Sequence, residues 1–425
     1  MSKLIVNGGK RLCGSLRVRG AKNSVLPILA SSYLTQGESV LRNCPDLTDV
    51  RVACRILRML GCRVRRAEDA IAVVPDGAAG TFVPAAHMCE MRSSIIFLGA
   101  MLARTGQACL SMPGGCDLGP RPIDLHLMAL RRLGAVIREE QGCLRCTAPD
   151  GLRGALICFP SVSVGATENA LIAAVTARGC TRIRNAACEP EIVDLAAYLQ
   201  KCGAHIYGAG TSELYVEGTA RLHGAEHTIL PDRIETATYL TAAAVTGGAV
   251  TLCRTDDRLL RPVLYCLQRA GCGIRCEEGR ISLEAPQRLQ AMGSIFTAPH
   301  PGFPTDAQAV LMAAAAGAAG ETRFTETVFP RRFRHVAPLC AMGARITVQH
   351  SEAVVQGVPQ LHGASVRATD LRGGAALVIA GLAAQGTTEI SDVCYIDRGY
   401  EHIETALAQL GAEITRKEAA SAGMC

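Results

Sequence analysis

One phrase, Leu-Gly-Ala-x-Ile, recurs six times with small substitutions, and this periodicity constrains the fold more than any single residue does. It stands at Leu60–Val64, Leu133–Ile137, Cys202–Ile206, Ala270–Ile274, Met342–Ile346 and Leu410–Ile414, with its central glycines 73, 69, 68, 72 and 68 residues apart. Each copy reads as the end of a helix, a glycine cap and the first residues of a strand. Ahead of each copy a helix of small apolar residues runs to Gly37, Gly106, Gly179, Gly248, Gly320 or Gly386. A short β-rich run follows, such as Thr181–Ile183, and a second helix leads to the phrase. Behind it come an alternating hairpin strand, such as Glu213–Val216, and a return phrase at Leu152–Ala155, Leu222–Ala225 and Leu361–Ala364. The unit is βαβαββ, and its strand–helix–strand order implies parallel pairing through right-handed crossovers.

The ends of the chain extend the pattern. The last unit lacks a hairpin, because the residues from Lys417 onward read as a tail, whereas Leu4–Val6 and Leu12–Val18 match a hairpin and a return strand. Residues 1–21 are therefore expected to complete the sixth unit. Three units per domain give a first domain over 22–230 and a discontinuous second domain of 1–21 plus 231–425. The chain would cross between them near Gly20-Ala21 and Leu230-Pro231, as a hinge does.

Composition narrows the function. Apolar residues make up 49% and charged residues 19%, so the chain can bury a large core. Aromatics are 4% and Trp is absent, which removes the stacking platforms of single-strand nucleic-acid binders. A net charge of +6 is too small for a nucleic-acid or membrane-surface partner and suits a small anionic substrate. No apolar run reaches the length of a membrane span, and Leu4–Val6 is too short for a signal segment, so the expected compartment is the cytoplasm. The 20 cysteines are then expected to be reduced thiols, and Cys62, Cys202, Cys266 and Cys272 stand where Ala or Val would serve. Cys143 and Cys146 lie in a strand-like stretch without a second pair, so no zinc site is expected.

The six small-apolar helices begin with polar residues: Lys22-Asn23-Ser24, Arg92-Ser93-Ser94, Thr167-Glu168-Asn169, Asp232-Arg233, Thr305-Asp306 and Asp370-Leu371-Arg372. Unpaired N–H groups and helix dipoles at such starts make a positive surface able to hold an anion. Asn23, Ser93, Asp232 and Asp370 can serve there as caps or as ligands. Lys22, Arg92 and Arg372 oppose the dipole, which suggests that a ligand supplies the compensating negative charge. Lys22 also stands out in a chain that otherwise prefers Arg, and a compact ammonium suits a phosphate. One strand-to-helix connection, Met112–Pro122, is long and rich in Gly and Pro and carries Cys116 near Arg121. It reads as a mobile lid bearing a thiol whose pKa neighbouring cations can lower.

These segments carry a family resemblance. Gly20–Asn23, Pro113–Cys116 with Arg121–His126, Ser163–Asn169, Glu189–Asp194, Pro231–Thr236, Phe303–Asp306, Glu326–Phe329 and Ile396–Tyr400 run in order over nearly the whole chain. Together they resemble the UDP-N-acetylglucosamine 1-carboxyvinyltransferase family of enolpyruvyl transferases. The resemblance implies an α/β fold of two inside-out, barrel-like domains, each of three repeats, with a cleft between them. It implies transfer of the enolpyruvyl group of phosphoenolpyruvate to the 3′-hydroxyl of UDP-N-acetylglucosamine by addition and elimination, with release of phosphate. No metal or organic cofactor is implied, and the partners are those two small molecules. The role would be in peptidoglycan synthesis, and so in cell shape and division.

By the same resemblance, Cys116 protonates the methylene carbon and Asp306 takes the proton of the sugar hydroxyl. Lys22, Arg121 and Arg398 hold the phosphate and carboxylate, with Arg372 assisting. Asn23 binds the sugar or the tetrahedral intermediate. Arg92, Arg121, Pro122, Ile123, Asp124, Leu125, Ser163, Val164, Gly165 and Val328 line the UDP-sugar site, and Arg332 and Asp370 are further candidates. Asp124 and His126 can equally begin the helix after the lid, and Glu189, Asp232 and Glu235 can be capping or interdomain residues. Ser161 stands where some relatives carry a basic residue. An epoxide phosphonate such as fosfomycin is expected to alkylate Cys116. The alternatives are a 3-phosphoshikimate 1-carboxyvinyltransferase, against which the Cys116 loop argues, and a non-catalytic anion-binding repeat protein.

Overall fold

The computed structural model describes residues 2–111, 123–140, 142–329 and 332–418, without the side chains of Cys89 and Arg92. Cys116, Arg121 and Pro122 lie outside the described residues. The chain divides into two compact units, one of Gly20–Leu230 and one of Met1–Arg19 with Pro231–Cys425.

Each unit contains three four-stranded sheets of a single topology. In the 20–230 unit the sheet of Gln107–Ser111 shows the pattern. Phe82–Val83 pairs with it in parallel on one side, Cys143–Thr147 antiparallel on the other, and Val136–Glu140 antiparallel beyond that. The sheets built on Ser39–Arg42 and Cys180–Arg184 repeat it. The other unit repeats it on Ala249–Cys253, Glu321–Thr325 and Thr387–Ser391. In four of the six sheets a helical segment directly joins the parallel strand to the central strand, as the βαβαββ reading requires, whereas in the sheets of Ser39–Arg42 and Ala249–Cys253 the parallel strand comes from a distant part of the chain.

The N-terminal segment supplies the hairpin strand and the return strand that the sixth repeat lacks, and the two fall in different sheets. Lys3–Asn7 lies between Thr387–Ser391 and Glu413–Lys417 in the last sheet. Cys13–Arg17 pairs instead with Ala249–Cys253 at the start of the unit. The reason is general to the fold: every return strand pairs in parallel with the central strand of the next repeat. Glu226–Thr228 likewise comes back to Ser39–Arg42, so the three repeats of each unit close in a ring.

The helices Lys22–Ser32, Phe97–Thr105 and Val164–Ala174 pack on one another inside one unit, and Arg233–Val245, Thr305–Gly317 and Leu371–Ala383 inside the other. They are apolar on nearly every side and almost wholly buried. Amphipathic helices such as Thr48–Met59, Pro190–Lys201 and Arg261–Arg269 bury one face and expose charge on the other. A single apolar core runs through each unit. No helix among the described residues is long and apolar enough to cross a membrane.

The repeated glycines have geometric causes. All six phrase glycines adopt φ between +89° and +100°, where an L side chain is strained. In the return phrases a Cβ on Gly154, Gly224 or Gly363 would fall 2.3, 2.0 or 2.3 Å from the carbonyl oxygen of Cys180, Glu38 or Thr387. At the end of the fourth core helix Gly247, not Gly248, takes the left-handed conformation.

Cys62, Cys202, Cys266 and Cys272 are buried, and burial is the main cause that pushes their thiols up to about 11, 11, 11 and 12. Cys143 and Cys146 are three residues apart on one strand, so their side chains leave opposite faces of the sheet and cannot share a metal.

Because Lys3–Asn7 is an interior strand, a chain beginning at Gly20 is expected to lose the cooperative unfolding of the 231–418 part while keeping that of 20–230. Differential scanning calorimetry of the full chain and of the truncation will show one transition lost. Two intact transitions would refute the assignment of both N-terminal strands.

Candidate active site

The Pro231–Cys425 part holds a compact charged cluster at the starts of two core helices. Asp306 is in the first turn of Thr305–Gly317, where the helix dipole favours a carboxylate. Its Oδ1 accepts from Arg332 Nη2 at 2.5 Å and its Oδ2 from Arg372 Nη2 at 3.3 Å. Burial alone would raise the Asp306 carboxyl. The charges of Arg372 and Arg332 outweigh it, so the group lies far below the usual carboxylate range. The Arg372 side chain is 6% exposed and that of Arg332 7%. Burial acts to lower the Arg372 pKa, but Asp306 and then Tyr400 hold it above its ordinary value.

The surroundings orient this cluster. Asp370 caps Leu371–Ala383, its Oδ1 accepting from the backbone N–H of Arg372 and Gly373, both at 3.0 Å. Arg372 Nη1 reaches the Tyr400 hydroxyl at 3.3 Å, and that hydroxyl meets Thr238 Oγ1 at 2.9 Å. Arg332 lies over the Phe329 ring, 5.2 Å from its centroid. Glu326 is 2% exposed and accepts from Thr297 Oγ1, Thr305 Oγ1, Val328 N–H and Phe329 N–H at 2.8–3.0 Å. It thereby ties the Val328 loop to the helix that carries Asp306. Arg398 ends the 3-10 turn Val393–Arg398 and is half-buried.

In the 20–230 unit Lys22 opens its helix, and its Nζ lies 2.6 Å from Asp49 Oδ2, with both side chains buried. Ala21 is the N-cap, so Asn23 is not a cap but a half-buried residue of the first turn. Ser93 likewise sits inside the 3-10 turn Arg92–Ile96 and caps nothing. The third core helix begins at Val164, earlier than Thr167–Asn169 suggest. Ser163 caps it through its hydroxyl, which accepts from Ala166 N–H at 3.3 Å.

Ser163, Val164 and Gly165 are half-buried beside the helix Asp124–Arg132. A Cβ on Gly165 would stand 3.1 Å from His126 Cε1, so the two segments touch there. Asn169 joins them: its Nδ2 bonds His126 Nδ1 at 3.1 Å and Ile95 O at 3.0 Å, and its Oδ1 accepts from Gly99 N–H at 2.7 Å. Burial lowers the His126 pKa to about 4 against the opposing pull of Asp124. His126 is thus a neutral structural partner. Ile123 precedes this helix, while Asp124 is exposed and Leu125 half-buried on its first turn; Ser161 is exposed.

Lys22 and Arg372 correct one expectation. Each already faces a carboxylate of its own unit, Asp49 or Asp306, so a ligand is not their sole source of negative charge. A buried cation carries a desolvation cost that a fixed partner offsets. Asp49, Glu326, Tyr400 and Asn169 had no role in the sequence reading. Glu326, Tyr400 and Asn169 fall in quoted motifs, whereas nothing in the sequence marks Asp49. Among the described residues no three His, Cys, Asp or Glu side chains gather as metal ligands do.

Asp232 and Glu235 cap and brace the helix Arg233–Val245. Asp232 Oδ1 accepts from Ile234 and Glu235 N–H, while Glu235 accepts from Arg19 N–H at 2.9 Å and the Tyr239 hydroxyl at 3.0 Å. Burial and then the Asp232 charge push Glu235 up to about 7. Glu168 is also raised well above its ordinary value by burial, with Glu191 and Glu189 adding to it.

Comparison with known proteins adds the following. The EPSP synthase (3-phosphoshikimate 1-carboxyvinyltransferase) family matches residues 6–407. UDP-N-acetylglucosamine 1-carboxyvinyltransferase 2 of Caldanaerobacter subterraneus subsp. tengcongensis is 47% identical over 98% of this chain and 100% of its own. UDP-N-acetylglucosamine 1-carboxyvinyltransferase 1 of Symbiobacterium thermophilum is 48% identical over 97% and 95%. Among solved structures, the enolpyruvyl transferase NikO from Streptomyces tendae superposes with a TM-score of 0.87 at 25% identity, covering 99% of each chain. An EPSP synthase from Acinetobacter baumannii gives 0.74 at 18% identity over 98% of this chain and 100% of its own, a likeness of fold.

The Glu235 environment sets a pH dependence. Its folded pKa of about 7 exceeds an unfolded value of about 4.3, so the stabilisation is complete below pH ~4.3 and is lost as pH rises through 7. The change is on the order of 3 kcal/mol. Glu235→Gln mimics the protonated acid. It is expected to match the native chain in thermal unfolding at about pH 3.5, below the unfolded pKa, and to exceed it at pH 8. Equal melting temperatures at pH 8 would show that Glu235 carries no such penalty.

Proposed function

Because the chain belongs to the EPSP synthase family, and within it to the UDP-N-acetylglucosamine 1-carboxyvinyltransferases, we propose that it moves the enolpyruvyl group of phosphoenolpyruvate onto the 3′-hydroxyl of UDP-N-acetylglucosamine. Phosphate is released, and the product enters peptidoglycan synthesis. The observation that carries the reading is Asp306, a carboxylate kept ionised between two arginines at the start of an apolar helix.

The reaction runs by addition and elimination. In the addition, the Cys116 thiol delivers a proton to the methylene carbon C3 of phosphoenolpyruvate, which leaves C2 electron-poor. The sugar oxygen bonds to C2 as its proton passes to Asp306. In the elimination, the C2–O bond to phosphate breaks with its electron pair going to the phosphate, which takes up the proton held by Asp306, a proton on C3 returns to the Cys116 thiolate, and the double bond re-forms in the enol ether. The carboxylate and phosphate are anionic throughout and negative charge grows on the departing phosphate in the elimination, where preorganised cations act. Lys22, Arg121 and Arg398 bind those anionic groups, with Arg372 assisting. Asn23 bonds the intermediate. Arg92, Arg121, Pro122, Ile123, Asp124, Leu125, Ser163, Val164, Gly165 and Val328 receive the UDP-sugar.

The two arginines make Asp306 a weak base, and its value to the reaction is one of place. Each carboxylate oxygen has a second acceptor position beyond its arginine bond, so a sugar hydroxyl can still donate to it. The proton leaves that hydroxyl as the C–O bond forms, when the oxygen becomes far more acidic. The hydroxyl therefore needs a nearby acceptor rather than a strong one.

A phosphate-release assay with phosphoenolpyruvate tests the reading. Turnover is expected with UDP-N-acetylglucosamine and not with shikimate 3-phosphate; the reverse would establish the shikimate reaction. Cys116→Ser, or alkylation by fosfomycin, is expected to reduce turnover to the detection limit. Full activity after stoichiometric modification of Cys116 would remove it from the mechanism.

Asp306→Asn is expected to lower kcat about 10²- to 10⁴-fold. Since the folded pKa of Asp306 lies far below the usual range, the ratio of native to variant kcat will stay constant from pH 5 to 8. A ratio that rises through a pKa in that window would show that Asp306 titrates there.

A further inference from the structure

Arg398 stands within Ile396–Tyr400, and its neighbours in that sequence are fastened in an unusual way. Arg416 lies on Glu413–Lys417, at the edge of the sheet that also contains Thr387–Ser391. Its guanidinium forks onto two carboxylates at once. Nη1 and Nη2 donate to Asp397 Oδ2 and Oδ1 at 2.9 and 2.7 Å, while Nε and Nη2 donate to Glu404 Oε1 and Oε2 at 2.8 and 3.0 Å.

The assembly is partly buried, with side-chain exposures of 19% for Arg416, 11% for Glu404 and 30% for Asp397. Bonding to Asp397 is the largest influence that raises the Arg416 pKa. At Glu404 burial acts upward and is outweighed by Arg416. Bidentate pairs of this kind fix geometry as well as contributing energy.

The same stretch is held at two further points. Tyr400 bonds Thr238 and Arg372, and Glu401 Oε1 meets Arg19 Nη2 at 3.1 Å. Within the turn, the Gly399 and Tyr400 N–H groups both donate to Ile396 O at 3.0 Å. Residues 397–404 are thus pinned on both sides of Arg398. Surface ion pairs seldom add much stability, so two well-aligned bonds to Asp397, the residue beside a substrate-binding arginine, and two more to Glu404 call for another explanation. A substrate-binding charge has to be placed to within a fraction of an ångström, and a turn on its own does not do that.

We propose that Arg416 is a positioning residue for Arg398. By gripping Asp397 and Glu404 it fixes the turn that presents Arg398 to the anionic groups of phosphoenolpyruvate. Arg416 does not itself touch the substrate, and the inference rests on the role given to Arg398 under the proposed function.

Two variants test this. Arg416→Lys keeps the charge but cannot bond both carboxylates bidentately, and Arg416→Ala removes the clamp. Hydrogen exchange at the Gly399 and Tyr400 amides is expected to rise at least about tenfold in both, with the Leu371–Ala383 amides unchanged. In kinetics, kcat/KM for phosphoenolpyruvate is expected to fall about 10²-fold while KM for UDP-N-acetylglucosamine stays within about twofold. Added guanidinium ion is expected to restore part of the loss in Arg416→Ala and none in a chain that has merely unfolded.

The proposal is overturned if the amides exchange faster while kcat/KM for phosphoenolpyruvate is unchanged. It is also overturned if both substrates lose equally, or if exchange at 399–400 does not change. A native chain inactive with this substrate pair would overturn the activity reading instead. The exchange measurement would still decide whether Arg416 clamps the turn.

Discussion

A helix that is apolar on every side can be stable in water only when it is surrounded, and then its ends are the places left for polarity. Six helices of this protein are in that position. Each is enclosed by sheets and amphipathic helices of its own unit, so its first turn becomes the natural exit for unpaired N–H groups and for charge. The repeat supplies such ends three times per unit. Function and fold therefore draw on the same feature, because burying the helices is what concentrates polar groups at their starts.

Charge at a buried helix start has to be balanced, and the balance chosen here governs the chemistry. Asp306 gains from its helix dipole and from two arginines, so it stays ionised and is a poor base in the bulk sense. Its partners are equally constrained: Arg372 is bound by Asp306, by Tyr400 and, through its backbone, by Asp370. In the other unit Lys22 is set against Asp49. A flexible lysine or arginine would lose rotamer entropy when it grips an anion; one already fixed by a carboxylate has lost it during folding. The carboxylates thus hold the cations in place at the cost of weakening their net charge, which suits the anion-binding role proposed for them.

The repeat architecture was legible because it rests on local rules applied six times. A glycine at φ near +95°, a helix of small residues before it and an alternating strand after it leave a periodic trace. The sharing of the N-terminal segment between two sheets was not legible. Leu4–Val6 and Leu12–Val18 resemble repeat pieces equally well, and only strand pairing reveals that Cys13–Arg17 serves the fourth repeat. Caps divided similarly. Asp232 and Asp370 cap as their chemistry suggests, but Asn23 and Ser93 do not, since a cap depends on where the helix starts to within one residue. Candidate residues such as Lys22 and Arg372 were visible through motif and helix position. Their partners Asp49 and Tyr400 come from other elements, and tertiary pairing leaves no spacing to read.

Glu326 shows how far such hidden partners extend the site. Its carboxylate takes four donors from three places: a strand-end threonine, the first residue of the Asp306 helix, and two backbone N–H groups of the Val328 loop. A carboxylate so saturated has little left to offer a ligand. Its effect is to make the loop and the helix start move as one piece, and Arg332, which follows the loop, is then delivered to Asp306. The arrangement around Arg398 is related, with Asp397 and Glu404 each gripped at both oxygens by Arg416 rather than by backbone groups. In both places a bonded carboxylate braces the segment of a residue proposed to act on the substrate. The physical logic is that rigidity at a reacting centre has to be built from bonds the substrate does not compete for.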